Sequence, residues 1–184
     1  ADSIVSGWAG GGTWWAASAG TLAAIVFYMA ADVLLECRFV WGAVSFGFGH
    51  ICMAAGFLLS GETVLVWKKS GGCSVDAGLL GLTLAVCAVF VAAAWAALHR
   101  YFHSLKKKKL LYPLLAYVLV LSMMAALAVT AGGVVPAAGG FCFAVSDVLL
   151  GRNRLGKHRS KVRGALVLIL YYAAVYLFAM RLWL

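Results

Sequence analysis

Long apolar stretches, each about the length of one membrane crossing, alternate with short polar or charged segments along most of the chain. An α-helix needs about 20 apolar residues to cross the roughly 30 Å of hydrocarbon in a bilayer. We predict six transmembrane helices, over residues 16–35, 39–59, 75–98, 110–130, 134–150 and 165–182. The expected fold class is therefore an all-α, polytopic transmembrane bundle that forms one domain over residues 1–184.

Composition supports a membrane protein and excludes several other classes. Of the 184 residues, 65% are hydrophobic and 11% are charged, whereas a soluble domain is about 45–50% apolar and about 25% charged. A water-soluble globule, a disordered chain and a coiled coil each need more polar residues. The five cysteines are an odd number without a CxxC pair, so they do not indicate a disulfide-stapled secreted domain.

Lysine and arginine residues are concentrated in the loops on one face of such a bundle. Twelve of the fifteen fall on that face: Arg38, Arg100, Lys106, Lys107, Lys108, Lys109, Arg152, Arg154, Lys157, Arg159, Lys161 and Arg163. The other face carries Lys68, Lys69 and Arg181. The positive-inside rule predicts that the twelve-residue face is cytosolic, or faces the matrix or stroma, with both chain ends opposite. The mitochondrial inner membrane and the endoplasmic reticulum are candidate locations.

The net charge of +9 has two explanations. It arises almost wholly from two short loops, at 106–109 and 152–163, so no nucleic-acid partner is expected. The simpler explanation is the topological signal itself. The alternative is attraction of anionic lipid headgroups, at about 1 kcal/mol per basic residue near the surface, which would suit an enzyme that acts on phospholipids.

Two acidic residues lie inside predicted spans, whereas the other four lie at span ends or in loops. Asp32 and Asp147 each stand three residues before the end of a span, so both carboxyl groups are expected ~5 Å inside the basic face. A carboxylate at the centre of a transmembrane helix raises the free energy of membrane insertion by about 2.5–3.5 kcal/mol. An aspartate at such a position is therefore a candidate functional residue. We expect both to face one cavity. The alternative is a structural hydrogen bond to a neighbouring helix.

Histidines offer a third candidate. His50 is the only histidine in the middle of a predicted span, where it has either a chemical role or a hydrogen-bonded packing role. His99 and His103 have the i, i+4 spacing of metal ligands. They lack acidic neighbours, and the chain has only four histidines, so an interfacial helix end explains them better. We expect neither a metal nor a cofactor.

Three segments in order carry a family resemblance: AADVLL at 30–35, GAVSFGFGH at 42–50 and GFCFAVSDVLL at 140–150. Together they resemble the YhhN family of lysoplasmalogenases, which are small eight-span membrane proteins. The resemblance implies hydrolysis of the vinyl ether bond of a lysoplasmalogen, with a lysophospholipid as substrate and a fatty aldehyde as product. It also implies that Asp32 and Asp147 are the catalytic carboxylates, and His50 falls in the second matching segment.

This chemistry suits a pair of carboxyl groups. A vinyl ether is cleaved when its β-carbon is protonated, water adds to the oxocarbenium ion and the hemiacetal collapses. Two carboxyl groups that share a site differ in proton affinity, so one stays protonated as a general acid while its partner orients water. The assignment of acid and base between Asp32 and Asp147 stays open.

A second interpretation is a catalytically inactive family member that serves as an accessory subunit of a larger membrane complex, for example in an organellar inner membrane. The family's first two spans have no counterpart in this sequence, which begins with Ala1 and not Met. Ala31, Met53 and Val175 also differ from the family pattern. A small-solute transporter is less favoured, because only two spans carry acidic residues and no discontinuous helix is evident beyond Pro136.

Overall fold

The computed structural model describes residues 11–61, 63–67, 73–107, 109–156 and 160–183. Its six long helices are α1 (Gly11–Cys37), α2 (Phe39–Leu59), α3 (Ala77–Leu98), α5 (Leu111–Thr130), α6 (Val134–Leu155) and α7 (Lys161–Met180). The shorter elements are strands β1 (Leu65–Trp67) and β2 (Cys73–Val75), a 3₁₀ turn (His99–Tyr101) and helix α4 (Phe102–Lys107).

All six long helices are long and apolar enough to cross a membrane. The predicted all-α bundle with six spans is therefore confirmed, and the chain is a multi-pass integral membrane protein. One feature that the sequence pattern did not predict is a short antiparallel ribbon, in which Leu65 pairs with Val75 and Trp67 with Cys73.

Five of the long helices close into a ring. Helix α1 packs on α2, α2 on α5, α5 on α6, α6 on α7, and α7 returns to α1, while α3 packs on α5 and α6 from outside. Large apolar side chains from all five ring helices fill its centre. Among them are Tyr28, Phe46, Phe57, Met124, Phe143, Tyr171 and Phe178.

Local sequence fixes where several helices begin. Asp76 caps α3, because its carboxylate accepts hydrogen bonds from the backbone N–H groups of Gly78 at 2.8 Å and Leu79 at 3.0 Å. The helix thus starts after β2 rather than at residue 75. Ser160 caps α7 by accepting from the N–H of Arg163 at 3.4 Å, so α7 begins four residues earlier than the predicted span. Pro136 lies in the first turn of α6, where no intrahelical N–H bond is lost.

Contacts between distant residues show which helix ends lie together. The guanidinium of Arg154, in the last turn of α6, lies 5.6 Å from the centre of the Phe39 ring at the start of α2. Arg181, after α7, lies 4.3 Å from the ring centre of Phe57 near the end of α2. We call the end of the bundle at which Arg154 contacts Phe39 the basic end. Of the charged loop residues named above, Lys68, Lys69, Lys108, Lys157 and Arg159 lie outside the described residues.

Candidate active site

His50 lies at the centre of the helix ring and is fully buried. Its Nδ1 atom is 3.0 Å from the hydroxyl oxygen of Tyr28 on α1. Its Nε2 atom is 3.2 Å from the hydroxyl oxygen of Tyr117 on α5. The same Nε2 atom lies 3.5 Å from Oδ2 of Asp147 on α6. Four helices therefore contribute polar side chains to one point in the membrane-spanning core.

Glycine at position 49 makes room for this arrangement, because it has no Cβ atom. A Cβ atom at this position would lie 2.6 Å from Cδ1 of Tyr28 and 3.3 Å from the carbonyl oxygen of Ala24. Only glycine lets α1 and α2 approach so closely at this level. The Tyr28 ring consequently lies beside the helix backbone that carries His50, with its hydroxyl directed to the imidazole.

Asp147 is held from one side by Tyr117. The Tyr117 hydroxyl donates a hydrogen bond to Oδ2 of Asp147, and only 7% of the Asp147 side chain is exposed. An intramembrane carboxyl group is stable only where polar partners replace water. The structure thus brings together two of the three sequence-predicted site residues, His50 and Asp147.

Asp32 has a different partner. The Tyr171 hydroxyl on α7 donates to Oδ2 of Asp32 at 3.1 Å. In the described part of the chain no hydrogen bond joins Asp32 to Asp147 or to His50. The rings of Phe46 and Phe143 each contact both His50 and Tyr171, so they lie between the two polar groups.

Asp147 and Tyr117 line a cavity of about 370 Å³. Its wall is almost entirely apolar. It comes mainly from α2, α3, α5 and α6, with a contribution from Leu35 of α1, and the lining residues include Val44, Ile51, Leu114, Val118, Leu121 and Val148. It extends to the basic end, where Phe39, Leu98, Leu110 and Gly151 line it. Asp147 lines this cavity and Asp32 does not.

Sequence reasoning missed the three tyrosines that bind the candidate residues. Tyr28, Tyr117 and Tyr171 all lie within apolar spans. A buried tyrosine hydroxyl needs a hydrogen-bond partner, and this requirement is the signal that was available. Tyr28 also stands four residues before Asp32 on the same helix, yet its hydroxyl is directed to His50 instead.

His99 and His103 take no part in this site. The Nδ1 atom of His99 lies 2.9 Å from the Ala96 carbonyl oxygen, and its ring stacks on Trp95. His103 is exposed at the basic end. Across the described ranges no three histidine, cysteine or acidic residues are grouped as metal ligands.

The fold and site define a class of protein: a multi-pass membrane protein with a buried carboxyl group on the wall of an apolar cavity. A scan against protein-family models matches the YhhN family over residues 5–182. The match covers almost the whole sequence, and the chain belongs to the YhhN family. Searches of curated proteins and of solved structures find no match.

Proposed function

We propose that this protein hydrolyses the vinyl ether bond of lysoplasmalogens. The observation that carries the proposal is the carboxyl group of Asp147 on the wall of an apolar cavity of about 370 Å³, in a member of the YhhN family. A cavity of this kind suits a single hydrocarbon chain, because each methylene group that it buries contributes about 0.8 kcal/mol to the free energy of binding.

Charge at the basic end supports a lipid with an anionic headgroup. The Arg154 guanidinium lies over the ring of Phe39, and Phe39 lines the cavity. Two further basic residues, Lys109 and Arg152, directly adjoin the lining residues Leu110 and Gly151. Guanidinium and ammonium groups bind phosphate through charge-assisted hydrogen bonds. A lysophospholipid would thus place its chain inside and its phosphate at this end.

The reaction requires one proton to reach carbon before water adds. Asp147, in its protonated form, donates to the β-carbon of the vinyl ether, and the α-carbon becomes an oxocarbenium ion. Water adds to that carbon and returns a proton to the Asp147 carboxylate. The hemiacetal then collapses, with its hydroxyl proton passing to the departing glycerol oxygen. One water is consumed, and a fatty aldehyde and a glycerophospho-base are released.

Asp147 is assigned the proton transfer because it lines the cavity, whereas Asp32 does not. Asp32 is proposed to act through Tyr171, whose hydroxyl it binds. This assignment replaces the symmetrical carboxylate pair with one cavity residue and one supporting residue.

The test is aldehyde release by the purified full chain in lipid nanodiscs. A lysoplasmalogen and its saturated 1-O-alkyl counterpart are compared, since the two differ only in the vinyl double bond. The proposal predicts aldehyde from the first and none from the second. No aldehyde from folded protein with either lipid would contradict the proposal and favour a role as an accessory subunit of a membrane complex.

A further inference from the structure

Three side chains form a single row of hydrogen bonds behind Asp147. Tyr28 contacts Nδ1 of His50 at 3.0 Å, and Nε2 of His50 contacts Tyr117 at 3.2 Å. Tyr117 in turn donates to Oδ2 of Asp147. Tyr28 and His50 are fully buried, and neither lines the cavity. The proposed reaction makes no use of these two residues, although burying them requires every polar atom to be satisfied.

Counting protons fixes the direction of the whole row. A tyrosine hydroxyl has one proton, and that of Tyr117 is used on Asp147. Tyr117 therefore accepts from His50, which places a proton on Nε2. A neutral imidazole then has no proton on Nδ1, so Nδ1 accepts from Tyr28. Each member donates to the next, and the row ends on Oδ2 of Asp147.

A charged imidazole does not fit this row equally well. An imidazolium carries protons on both nitrogens, so its Nδ1 would donate to Tyr28. The Tyr28 hydroxyl proton would then need another acceptor, and His50 is the only hydrogen-bond partner of this hydroxyl within the described residues. The geometry thus favours neutral His50 with its proton on Nε2.

The other carboxyl oxygen of Asp147 is in a different situation. Within the described ranges Oδ1 has no hydrogen-bond partner, and it is not one of the buried polar atoms that lack one. It is therefore the accessible oxygen of a residue that lines the cavity. We infer that Tyr28, His50 and Tyr117 form a donor chain that holds Oδ2 of Asp147, so that Oδ1 is the oxygen that exchanges a proton with a molecule in the cavity.

Tyr28 and His50 are thus positioning residues for Asp147. They stabilise one orientation of the carboxyl group and direct its exchangeable proton toward the cavity. The catalytic part of this inference rests on the proposed function, because it concerns the proton that Asp147 gives to the vinyl ether. The direction of the hydrogen bonds does not depend on any activity, so the two parts are tested separately.

The direction is read from nitrogen NMR of the full chain in nanodiscs, with all histidines labelled with ¹⁵N. The signals of His50 are assigned as those that are absent from the spectrum of the His50→Gln variant. We expect a protonated Nε2 and an unprotonated, hydrogen-bonded Nδ1 at neutral pH. Tyr28→Phe should shift the Nδ1 signal toward that of a free nitrogen, and Tyr176→Phe, whose side chain is exposed, should not. A proton on Nδ1 would overturn the donor chain.

The positioning role is read from kinetics. Tyr28→Phe should lower kcat for aldehyde release about 2- to 12-fold with KM unchanged, the range that loss of one hydrogen bond produces. Tyr176→Phe should match the wild type. Unchanged kcat in Tyr28→Phe would overturn the positioning role. If the wild type releases no aldehyde, the proposed function fails, and the nitrogen signals still decide the donor chain.

Discussion

The imidazole Nε2 of His50 lies 3.5 Å from Oδ2 of Asp147, although the two residues belong to different and non-consecutive helices. Each is buried, and each depends on the Tyr117 hydroxyl for a hydrogen bond. A carboxyl group at this depth is costly unless its partners are fixed in place. The ring of helices provides those partners, and the cavity gives the carboxyl group one open side.

Filling the cavity should block the reaction without disturbing the fold. Gly47 lines the cavity, and a Cβ there would meet only Cδ2 of Tyr117, at 3.8 Å. In Gly47→Leu the new side chain occupies the space proposed for the hydrocarbon chain. We expect aldehyde release to fall at least about tenfold, the kinetic equivalent of about 1.4 kcal/mol. Thermal unfolding should change little.

The matched control is Gly81→Leu, on α3, where a Cβ meets no atom within 4 Å. It adds the same side chain at an exposed position away from the cavity. Wild-type turnover is expected. Equal loss in both variants would show that the effect of Gly47→Leu is not specific to the cavity.

Gly49 should tolerate no side chain. Gly49→Ala introduces a Cβ at 2.6 Å from Cδ1 of Tyr28, and overpacking of this kind costs about 1–3 kcal/mol. We expect a lower unfolding temperature in detergent. Gly81→Ala, made in open surroundings, should instead be neutral or stabilise by about 0.5–1 kcal/mol, because alanine favours a helix interior over glycine. Equal stability of the two variants would contradict the close packing of α1 on α2.

Arg154 should contribute to headgroup binding. Arg154→Gln removes a cation that lies over a cavity-lining ring, and a basic residue near an anionic lipid contributes about 1 kcal/mol. We expect KM for a lysoplasmalogen to rise about fivefold at low salt, with kcat unchanged. The increase should shrink as ionic strength rises.

Lys161→Gln is the control for charge alone, since Lys161 is exposed at the start of α7 and does not line the cavity. Its KM should stay close to that of the wild type. An equal rise in both variants would mean that the overall charge of this end, and not Arg154, sets the affinity.

Asp32 and Tyr171 should behave as a coupled pair. The Tyr171 hydroxyl donates to Asp32 at 3.1 Å, so Asp32→Leu, which keeps the approximate size of the side chain without an acceptor, and Tyr171→Phe should each lower stability by about 0.5–1.5 kcal/mol. The double variant should be less destabilised than the sum, as unfolding of all four proteins would show. Tyr172→Phe, on the exposed neighbour, serves as control. If the two losses of stability simply add in the double variant, the Asp32–Tyr171 contact is contradicted.

Much of the architecture follows from hydropathy alone. Six apolar stretches, each about 20 residues long, predict six helical spans, because a helix satisfies its backbone hydrogen bonds within one segment of the chain. The ribbon formed by Leu65–Trp67 and Cys73–Val75 was missed, since two three-residue strands leave no periodic signal. The early start of α7 was missed for a related reason: its first turn is polar, and the Ser160 cap sets the boundary.

The candidate site was only partly predictable. Asp147 and His50 stood out because charged and titratable groups are rare within a membrane. Their contact could not be predicted, since it depends on how α2, α5 and α6 pack around the ring. The separation of Asp32 from the cavity has the same origin: equal depth along two helices fixes height but not the direction in which each side chain points. The place of Asp32 in the reaction remains a prediction.

The most direct measurement is lysoplasmalogen turnover by Asp147→Asn. The substitution keeps the size of the side chain and removes its exchangeable proton. General acid–base catalysis contributes about 10²–10⁴-fold, so aldehyde release should fall at least about a hundredfold while the unfolding temperature stays near that of the wild type. Glu36→Gln, at an exposed position on α1, should remain fully active. Wild-type turnover in Asp147→Asn would contradict the account.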